Sequence, residues 1–309
     1  MIYWRNTIKI CNLHDDIGND IYEHRYDEPH RLDHYHYPKM KQGEIKMTAL
    51  VCCFTGQQTF EQMQSLVLYL EQQIEQSTYF SYDDSKEIQC FIALEGLCGI
   101  QNDVKDKIQW LYQHHVRLAS LCWNDDNALA CGAKSGNKPL THLGIECIQA
   151  MNDVHMAIDV SHCCEWNFYD IARISTQPLV ATHSNVKGLF NHYRHLSDPC
   201  LEVLSQHHGL IGAIPVRWFV TRDESKQTLD EFIHVIDYLK NKIGVQHIAL
   251  GFDFMDYMDN IPCMVDGLES IACVQNLVSK LYARGYNEDE VKAICFDNAY
   301  HFMLPYLIY

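Results

Sequence analysis

Short apolar runs recur along the chain, and each is followed by a polar loop or by a segment with helical spacing. Most runs are continuously apolar, whereas a half-buried strand would alternate apolar and polar residues. Continuous runs are typical of parallel strands that are covered on both faces. We therefore predict about eight buried strands, at residues 8–13, 47–54, 90–94, 116–122, 155–160, 178–182, 209–215 and 247–252.

Helical periodicity separates these strands. It is clearest at residues 60–76, where apolar residues recur at the spacing of one helical face. Further helices are predicted at residues 104–114, 144–151, 167–174, 198–207, 229–243, 268–284 and 289–296. Two polar stretches, residues 19–46 and 124–141, lack this periodicity and are predicted to be long loops.

The order of these elements favours one α/β fold class. About eight β/α units in 309 residues are typical of a (β/α)8 TIM barrel. A doubly wound open sheet is the main alternative, but no GxGxxG follows the first strand. Because the chain shows no internal repeat and no Pro- or Ser-rich linker, we predict a single domain over residues 1–309.

Composition narrows the partners and the compartment. With 24 Lys and Arg against 40 Asp and Glu, the formal net charge is −16, which argues against a nucleic-acid partner. The 14 cysteines include no CxxC pair, and the chain is too long to need a disulfide framework. We find no signal peptide and no run of about 18 apolar residues. We therefore expect a reduced, cytoplasmic protein without a membrane partner.

Candidate chemistry lies where the predicted strands end. His14 and Asp16 follow the first strand, and because side chains alternate along an extended chain they point the same way. Other strands end in the same kinds of residue. In a barrel, the carboxyl ends of all strands face one mouth, so these side chains should converge. The converging set is His14, Asp16, Glu95, His162, His183 and Asp253.

Imidazole and carboxylate groups together are ligands for Zn²⁺ or a similar divalent ion. The set suggests two ions: His14 and Asp16 would hold one, His162 and His183 the other, and Glu95 would bridge them. A hydroxide between two metals is a nucleophile at neutral pH, and a further carboxylate at Asp253 could then handle protons.

The other histidines are predicted to be solvated residues of loops and helix ends. Those between His24 and His36 are numerous enough that adventitious metal binding there is a weaker alternative.

Several motifs together resemble the membrane (renal) dipeptidase family of the amidohydrolase superfamily. They keep their order and spacing over nearly the whole chain. They are Leu13-His14-Asp15-Asp16, Tyr37-Pro38-Lys39-Met40-Lys41-Gln42-Gly43, Ala93-Leu94-Glu95-Gly96, Ile158-Asp159-Val160-Ser161-His162, Thr182-His183-Ser184-Asn185, Tyr193-Arg194-His195-Leu196-Ser197-Asp198, Gly251-Phe252-Asp253-Phe254 and Asp297-Asn298.

This resemblance implies a TIM barrel of the metallo-dependent hydrolase type that hydrolyses dipeptides, often with a D-residue at the C-terminal position. It implies two zinc ions, with His14 and Asp16 on one, His162 and His183 on the other, and Glu95 between them. By the same likeness, Asp253 is the catalytic acid/base and Arg194 holds the terminal carboxylate of the substrate. Homodimers are frequent in the family, so a homodimer is included among the expected partners.

Two positions depart from the family pattern. Trp123 occupies the place of a histidine that contacts substrate near the metals, and an indole can neither ligate a metal nor carry a positive charge. Met255 replaces the second aspartate of the usual Asp-Phe-Asp-Gly after the last strand. We therefore expect an intact metal site beside an altered substrate site.

Three functions remain open at this point. The first is a zinc-dependent dipeptidase that uses a metal-bridging hydroxide. The second is a hydrolase of another small amide, such as an N-acyl amino acid or a lactam, with Trp123 reshaping the pocket. The third is a catalytically weak family member that binds metal, which an intact Asp253 argues against.

Overall fold

The computed structural model describes residues 7–258 and 262–307; residues 1–6, 259–261 and 308–309 of the predicted domain lie outside them. The described strands form one parallel sheet. They are β1 (Ile10–Asn12), β2 (Ile45–Cys53), β3 (Phe80–Ser81), β4 (Ile88–Glu95), β5 (Val116–Ser120), β6 (Ala157–Asp159), β7 (Leu179–Ala181), β8 (Leu210–Ala213) and β9 (Ile248–Leu250). The short β3, which we did not predict, pairs with β4 outside the main order.

The other eight strands follow one another around a barrel in the order β1-β2-β4-β5-β6-β7-β8-β9. The ring is brought together where β1 meets β9, because the backbone N–H of Leu13 donates to the carbonyl oxygen of Leu250 over 3.0 Å. Nearby, the N–H of Asp253 donates to the carbonyl oxygen of His14 over 2.9 Å. The predicted TIM barrel is confirmed.

Helices cover the outside of the barrel, except for the last one, which lies at its amino end. They are α1 (Ile17–Glu23), α2 (Tyr37–Gln42), α3 (Phe60–Gln76), α4 (Val104–Gln113), α5 (His142–Asp153), α6 (Glu165–Ile174), α7 (Asp198–Gln206), α8 (Arg217–Val220), α9 (Leu229–Ile243), α10 (Gln275–Arg284), α11 (Glu288–Lys292) and α12 (Asn298–Met303). The predicted bounds of α3 and α9 match the structure. At the start of α3, Thr59 accepts from the N–H of Gln62 and the Gln62 side chain accepts from the N–H of Thr59, which satisfies the first turn.

The prediction of a loop over residues 19–46 is wrong. This stretch contains α1, a wide helical turn at Leu32–His36, and α2. Its helices are held by a buried polar contact, because the carboxylate of Asp20 accepts from Nε of Arg31 and from Nε2 of His36, each over 2.6 Å. Apolar periodicity therefore gave no signal for them.

The inside of the barrel forms a core separate from the layer between strands and helices. The side chains that point into the barrel include Met47 and Val51 of β2. Met303 of α12 and Tyr306 of the turn after it belong to the same core. Tyr306 stacks on His155, which lies two residues before β6, with the ring centroids 4.9 Å apart. The C-terminal helix therefore closes the amino end of the barrel, and the carboxyl end is left as the mouth.

All 14 cysteines fall in the described part of the chain, and all are free. Among the described helices, none has both the length and the apolar character needed to span a bilayer.

Candidate metal centre at the barrel mouth

The predicted ligands all lie at the carboxyl ends of barrel strands. His14 comes two residues after β1, and Asp16 begins α1; Glu95 is the last residue of β4. His162 and His183 follow β6 and β7. Four of the five side chains are buried, while that of Asp16 is 26% exposed.

These side chains converge on one carboxylate oxygen. Oε1 of Glu95 lies 2.5 Å from Nε2 of His162, 3.1 Å from Nε2 of His183 and 3.7 Å from Nε2 of His14. Nε2 of His14 also lies 3.6 Å from Oδ1 of Asp16. The structure thus brings together all five predicted ligands, with Glu95 in the central position that the sequence suggested.

The outer ring nitrogens of two of the histidines are hydrogen-bonded, which fixes how the rings present their inner nitrogens. Nδ1 of His162 donates to Oδ1 of Asn124 over 2.9 Å. The hydroxyl of Thr182 donates to Asp159 over 2.6 Å and so accepts from Nδ1 of His183 at 2.8 Å. With the proton on Nδ1, each Nε2 presents a lone pair to the centre.

We did not predict Asn124, Thr182 or Asp159 as site residues. Metal-binding histidines usually donate their second N–H to a carboxylate, carbonyl or similar acceptor. A search for such acceptors beside the predicted ligands would have found Thr182, which directly precedes His183 in the sequence. Asn124 lies 38 residues from His162, so only the tertiary contact identifies it.

This arrangement fits a divalent cation. The lone pairs on Nε2 of His162 and His183 face a carboxylate oxygen, and acceptors at such distances repel unless a positive charge lies between them. In addition, Nε2 of His14 and Oδ1 of Asp16 are buried and have no hydrogen-bond partner among the described residues. Buried polar atoms of this kind require a partner, and nitrogen and carboxylate oxygen donors together suit Zn²⁺ or a similar ion.

The electrostatics of the centre also favour a positive charge. Burial acts to lower the pKa of His14, but the carboxylates of Glu95, Asp16 and Asp253 outweigh it and raise that pKa to about 10. Burial, together with the positive charge of Arg194, lowers the pKa of His162 to about 4, which keeps this imidazole neutral and able to ligate.

Asp253 lies beside the first pair of ligands. It follows β9 with a φ of +56°, and its carboxylate is within 4.8 Å of ligand atoms of His14 and Asp16. Burial raises the pKa of Asp253 to about 7. The negative charges of Asp16 and Glu95 add to this rise, and His14 opposes it. A carboxyl with such a pKa can both accept and donate a proton near neutral pH.

Arg194 is buried between β7 and α7, with only 4% of its surface exposed. Its Nη2 donates to the carbonyl oxygen of His183 over 3.2 Å, whereas its Nε has no hydrogen-bond partner among the described residues. A guanidinium that is buried and incompletely satisfied beside the candidate ligands can bind an anion through its remaining donors.

A sequence profile of the membrane dipeptidase family (Peptidase family M19) matches residues 7–304. The chain belongs to this family.

Individual relatives agree with this membership. An uncharacterized protein of the pqqA 5′ region in Klebsiella pneumoniae is 35% identical over 206 residues, which are 63% of this chain and 73% of that protein. Dipeptidase tcpJ of Claviceps purpurea is 28% identical over 204 residues, which are 65% of this chain but only 47% of the fungal protein.

A metallo peptidase from Rhodobacter sphaeroides shares the fold. Its crystal structure, liganded with a phosphinate mimic of the dipeptide L-Ala-D-Ala, has a TM-score of 0.85 at 18% sequence identity. The alignment covers 97% of this chain and 99% of that chain. Membership of the membrane dipeptidase family confirms the predicted class of enzyme, a peptide-bond hydrolase of the metallopeptidase kind.

Both departures from the pattern of the membrane dipeptidase family lie in the described residues. Trp123 follows β5 and stacks on the ring of His162, with the ring centroids 5.9 Å apart. It therefore flanks one of the candidate ligands. Met255 follows β9 and packs partly buried against the outer core. Together these residues place apolar groups at the two positions where the resemblance to the family predicts a histidine and an aspartate.

Proposed function

We propose that the protein is a dinuclear metallodipeptidase that hydrolyses the amide bond of dipeptides, including dipeptides with a C-terminal D-residue. The observation that carries this proposal is the convergence of three imidazole nitrogens and the carboxylate of Asp16 around Oε1 of Glu95. Family membership supplies the reaction class.

The residues divide between two ions, which we propose to be zinc. His14 and Asp16 would hold one ion, His162 and His183 the other, and Glu95 would bridge them. Two such ions supply a water-derived nucleophile at neutral pH and stabilise the developing oxyanion. The hydrogen bonds from His162 to Asn124 and from His183 to Thr182 orient the rings for this role.

Arg194 would orient the substrate. Its unpartnered Nε and its buried guanidinium suit the terminal carboxylate of a dipeptide, which a planar fork of donors binds in one orientation. The dipeptide mimic in the Rhodobacter sphaeroides structure supports a substrate of this size.

Asp253 would move the proton. Its carboxyl lies beside His14 and Asp16, and its pKa of about 7 lets it take a proton from the attacking water and pass it to the leaving amine.

A second candidate is hydrolysis of another small amide, such as an N-acyl amino acid or a lactam. The position of Trp123 over His162 favours it, because an indole narrows the space beside that ligand. Trp123 would then contact the substrate in either case.

Amine release from a panel of L-L and L-D dipeptides tests the proposal, with zinc-loaded protein compared with chelator-treated protein. Zinc-dependent cleavage is the expected result. If protein that carries about two metal ions cleaves N-acyl amino acids or lactams but no dipeptide, the second candidate replaces the first. Protein that binds no metal would refute both.

We also propose a cytoplasmic location, which the 14 free cysteines support because cytosolic thiols are kept reduced. A homodimer stays a prediction.

A further inference from the structure

Cys53 faces the inside of the barrel, unlike its neighbour Cys52. Along β2, Ala49 and Val51 pack in the interior core, whereas Leu50 and Cys52 pack in the layer between strands and helices. Because side chains alternate along a strand, Cys53 continues the inward row at the carboxyl end of β2.

That inward position lies beside the candidate metal centre. The register between β2 and β4 pairs Cys53 directly with Glu95. Ligand atoms of Cys53, Glu95 and Asp16 all lie within 4.8 Å of one another. Nε2 of His14, which is buried and has no hydrogen-bond partner among the described residues, lies 3.7 Å from Glu95 and 3.6 Å from Asp16.

The backbone at Cys53 is fixed to the element that carries Asp16. The N–H of Cys53 donates to Oδ1 of Asn19 over 2.6 Å, and Nδ2 of Asn19 donates to the carbonyl oxygen of Cys53 over 3.0 Å. Asn19 lies in the first turn of α1, the helix that Asp16 begins. This pair of hydrogen bonds therefore holds the thiol and the carboxylate of Asp16 in one rigid unit.

We propose that Cys53 supplies a thiolate ligand to the ion held by His14, Asp16 and Glu95, so that this position selects thiophilic ions such as Zn²⁺ and Co²⁺ over Mn²⁺. The inference rests on the proposed metal site and adds a ligand to it. With metal–ligand bonds of about 2.0–2.3 Å, the atoms of a tetrahedral set lie roughly 3.3–3.8 Å apart. The separations of His14 from Asp16 and Glu95 fall in that range.

A thiolate makes the two ion positions chemically different. Sulfur ligands favour zinc and other soft or borderline ions, while sites of oxygen and water favour Mn²⁺ and Mg²⁺. The second position is lined by Glu95, His162 and His183, a set without sulfur. Binding at the first position releases the thiol proton of Cys53 to solvent.

The test is the absorption spectrum of the full chain loaded with Co²⁺. We compare the unmodified protein with Cys53→Ala, Cys53→Ser and the matched control Cys52→Ala, which removes the adjacent thiol on the other face of β2. A thiolate-to-cobalt charge-transfer band in the near ultraviolet is expected in the unmodified protein and in the control. Both Cys53 variants should lack it and bind one of the two ions roughly 10–100-fold more weakly.

Metal competition gives a second readout. The preference for Zn²⁺ over Mn²⁺ should fall in Cys53→Ala and stay unchanged in Cys52→Ala. If Cys53→Ala fails to fold, as judged by circular dichroism, Cys53→Ser keeps the volume and polarity of the side chain and provides the same comparison.

The outcomes separate this inference from the proposed function. Unmodified protein that binds about two Co²⁺ ions and cleaves dipeptides without a charge-transfer band overturns the role of Cys53 and leaves the dipeptidase standing. A band that persists in both Cys53 variants also overturns it. Protein that binds no Co²⁺ at all refutes the metal site and this ligand together.

Discussion

Nδ1 of His162 donates a hydrogen bond to Oδ1 of Asn124 over 2.9 Å, and this contact decides which nitrogen of the ring faces the metal centre. Asn124 is buried in the segment after β5, and its Oδ1 is occupied by the outer ring nitrogen of His162. It is a positioning residue for His162.

The first prediction follows from that contact. Asn124→Ala removes the acceptor, so the ring of His162 can rotate or change tautomer, and the affinity for one of the two ions should fall roughly 10–100-fold. Competition with a fluorescent chelator measures the affinity. Asn102→Ala is the matched control, because Asn102 is exposed and bonds only Lys107 among the described side chains. Equal metal affinities in the two variants would contradict the role of Asn124.

The second prediction concerns Asp253. Asp253→Asn cannot exchange a proton, so kcat should fall about 10²–10⁴-fold while both metal ions stay bound. Steady-state kinetics and metal analysis of the same sample give the two values. Loss of metal together with activity would instead identify Asp253 as a metal ligand. Its carboxylate lies close enough to His14 and Asp16 for that role.

The third prediction separates carboxylate binding from general packing at Arg194. Arg194→Lys keeps a charge but loses the planar fork of donors, so kcat/KM for dipeptides should fall roughly 10–100-fold. A dipeptide with a C-terminal carboxamide should be an equally poor substrate for both proteins. Arg222→Lys, at an exposed position beside Phe190, serves as the control. If Arg194→Lys lowers kcat/KM for the carboxamide as much as for the dipeptide, Arg194 does not bind the terminal carboxylate.

The fourth prediction concerns Trp123. Trp123→His restores the group that the family commonly has here, and it supplies a donor that can become cationic. If the indole limits dipeptide turnover, the variant should have a higher kcat than the unmodified protein. The increase should not exceed roughly 10²–10³-fold, which is what one oxyanion-stabilising group contributes. Turnover of dipeptides and of N-acyl amino acids should be measured side by side. A fall on both substrates would show that the indole itself contributes to binding.

The fifth prediction is a pH dependence of stability that arises at two buried residues outside the candidate ligand set, His36 and Asp20. Burial, with Arg31 and Lys39, lowers the pKa of His36 below its ordinary value of 6.5 even though Asp20 opposes this. As the pH falls below about 6.5, the unfolded chain therefore takes up a proton before the folded one. Stability should fall by at most about 1.4 kcal/mol per pH unit from this group.

Asp20 adds to the same trend at lower pH. Burial would raise the pKa of its carboxyl, but hydrogen bonds from His36 and Arg31 outweigh burial and lower it from 3.8. Its contribution is therefore present above about pH 4 and is lost as the pH falls further. Urea unfolding of chelator-treated protein at several pH values, compared with His36→Gln and with the exposed control His34→Gln, measures both effects. A stability gap between the unmodified protein and His36→Gln that does not change with pH would contradict this assignment.

The sequence allowed the barrel and the five ligands to be predicted for one physical reason. Parallel strands present their carboxyl ends at the same mouth, so polar residues placed there converge however far apart they lie in the chain. Glu95 directly follows the predicted strand at residues 90–94, and His183 directly follows the one at residues 178–182. The resemblance to a family then assigned Arg194, which composition and spacing did not single out.

What sequence reasoning missed depends on tertiary contacts. The helices between residues 19 and 46 are held by Asp20, Arg31 and His36, and no apolar period marks such a contact. Cys53 lies in an apolar run beside Cys52, and the sequence alone does not indicate which of the two faces the inside of the barrel. Only the register of β2 against β4 distinguishes the one that faces Glu95.

The hydrogen bond from Leu13 to Leu250 joins strands from opposite ends of the chain, so the candidate ligands differ in how far they depend on the closed ring. β4 and the segments after β6 and β7 carry Glu95, His162 and His183, and none of these residues lies where β1 meets β9. The position of His14 beside Asp253 depends on the pairing of β1 with β9. On the proposed assignment, the ion at His14 and Asp16 would stabilise the closed ring, whereas the ion at His162 and His183 would stabilise neighbouring strands. Withdrawing metal should therefore destabilise the contact between β1 and β9 before any other part of the ring.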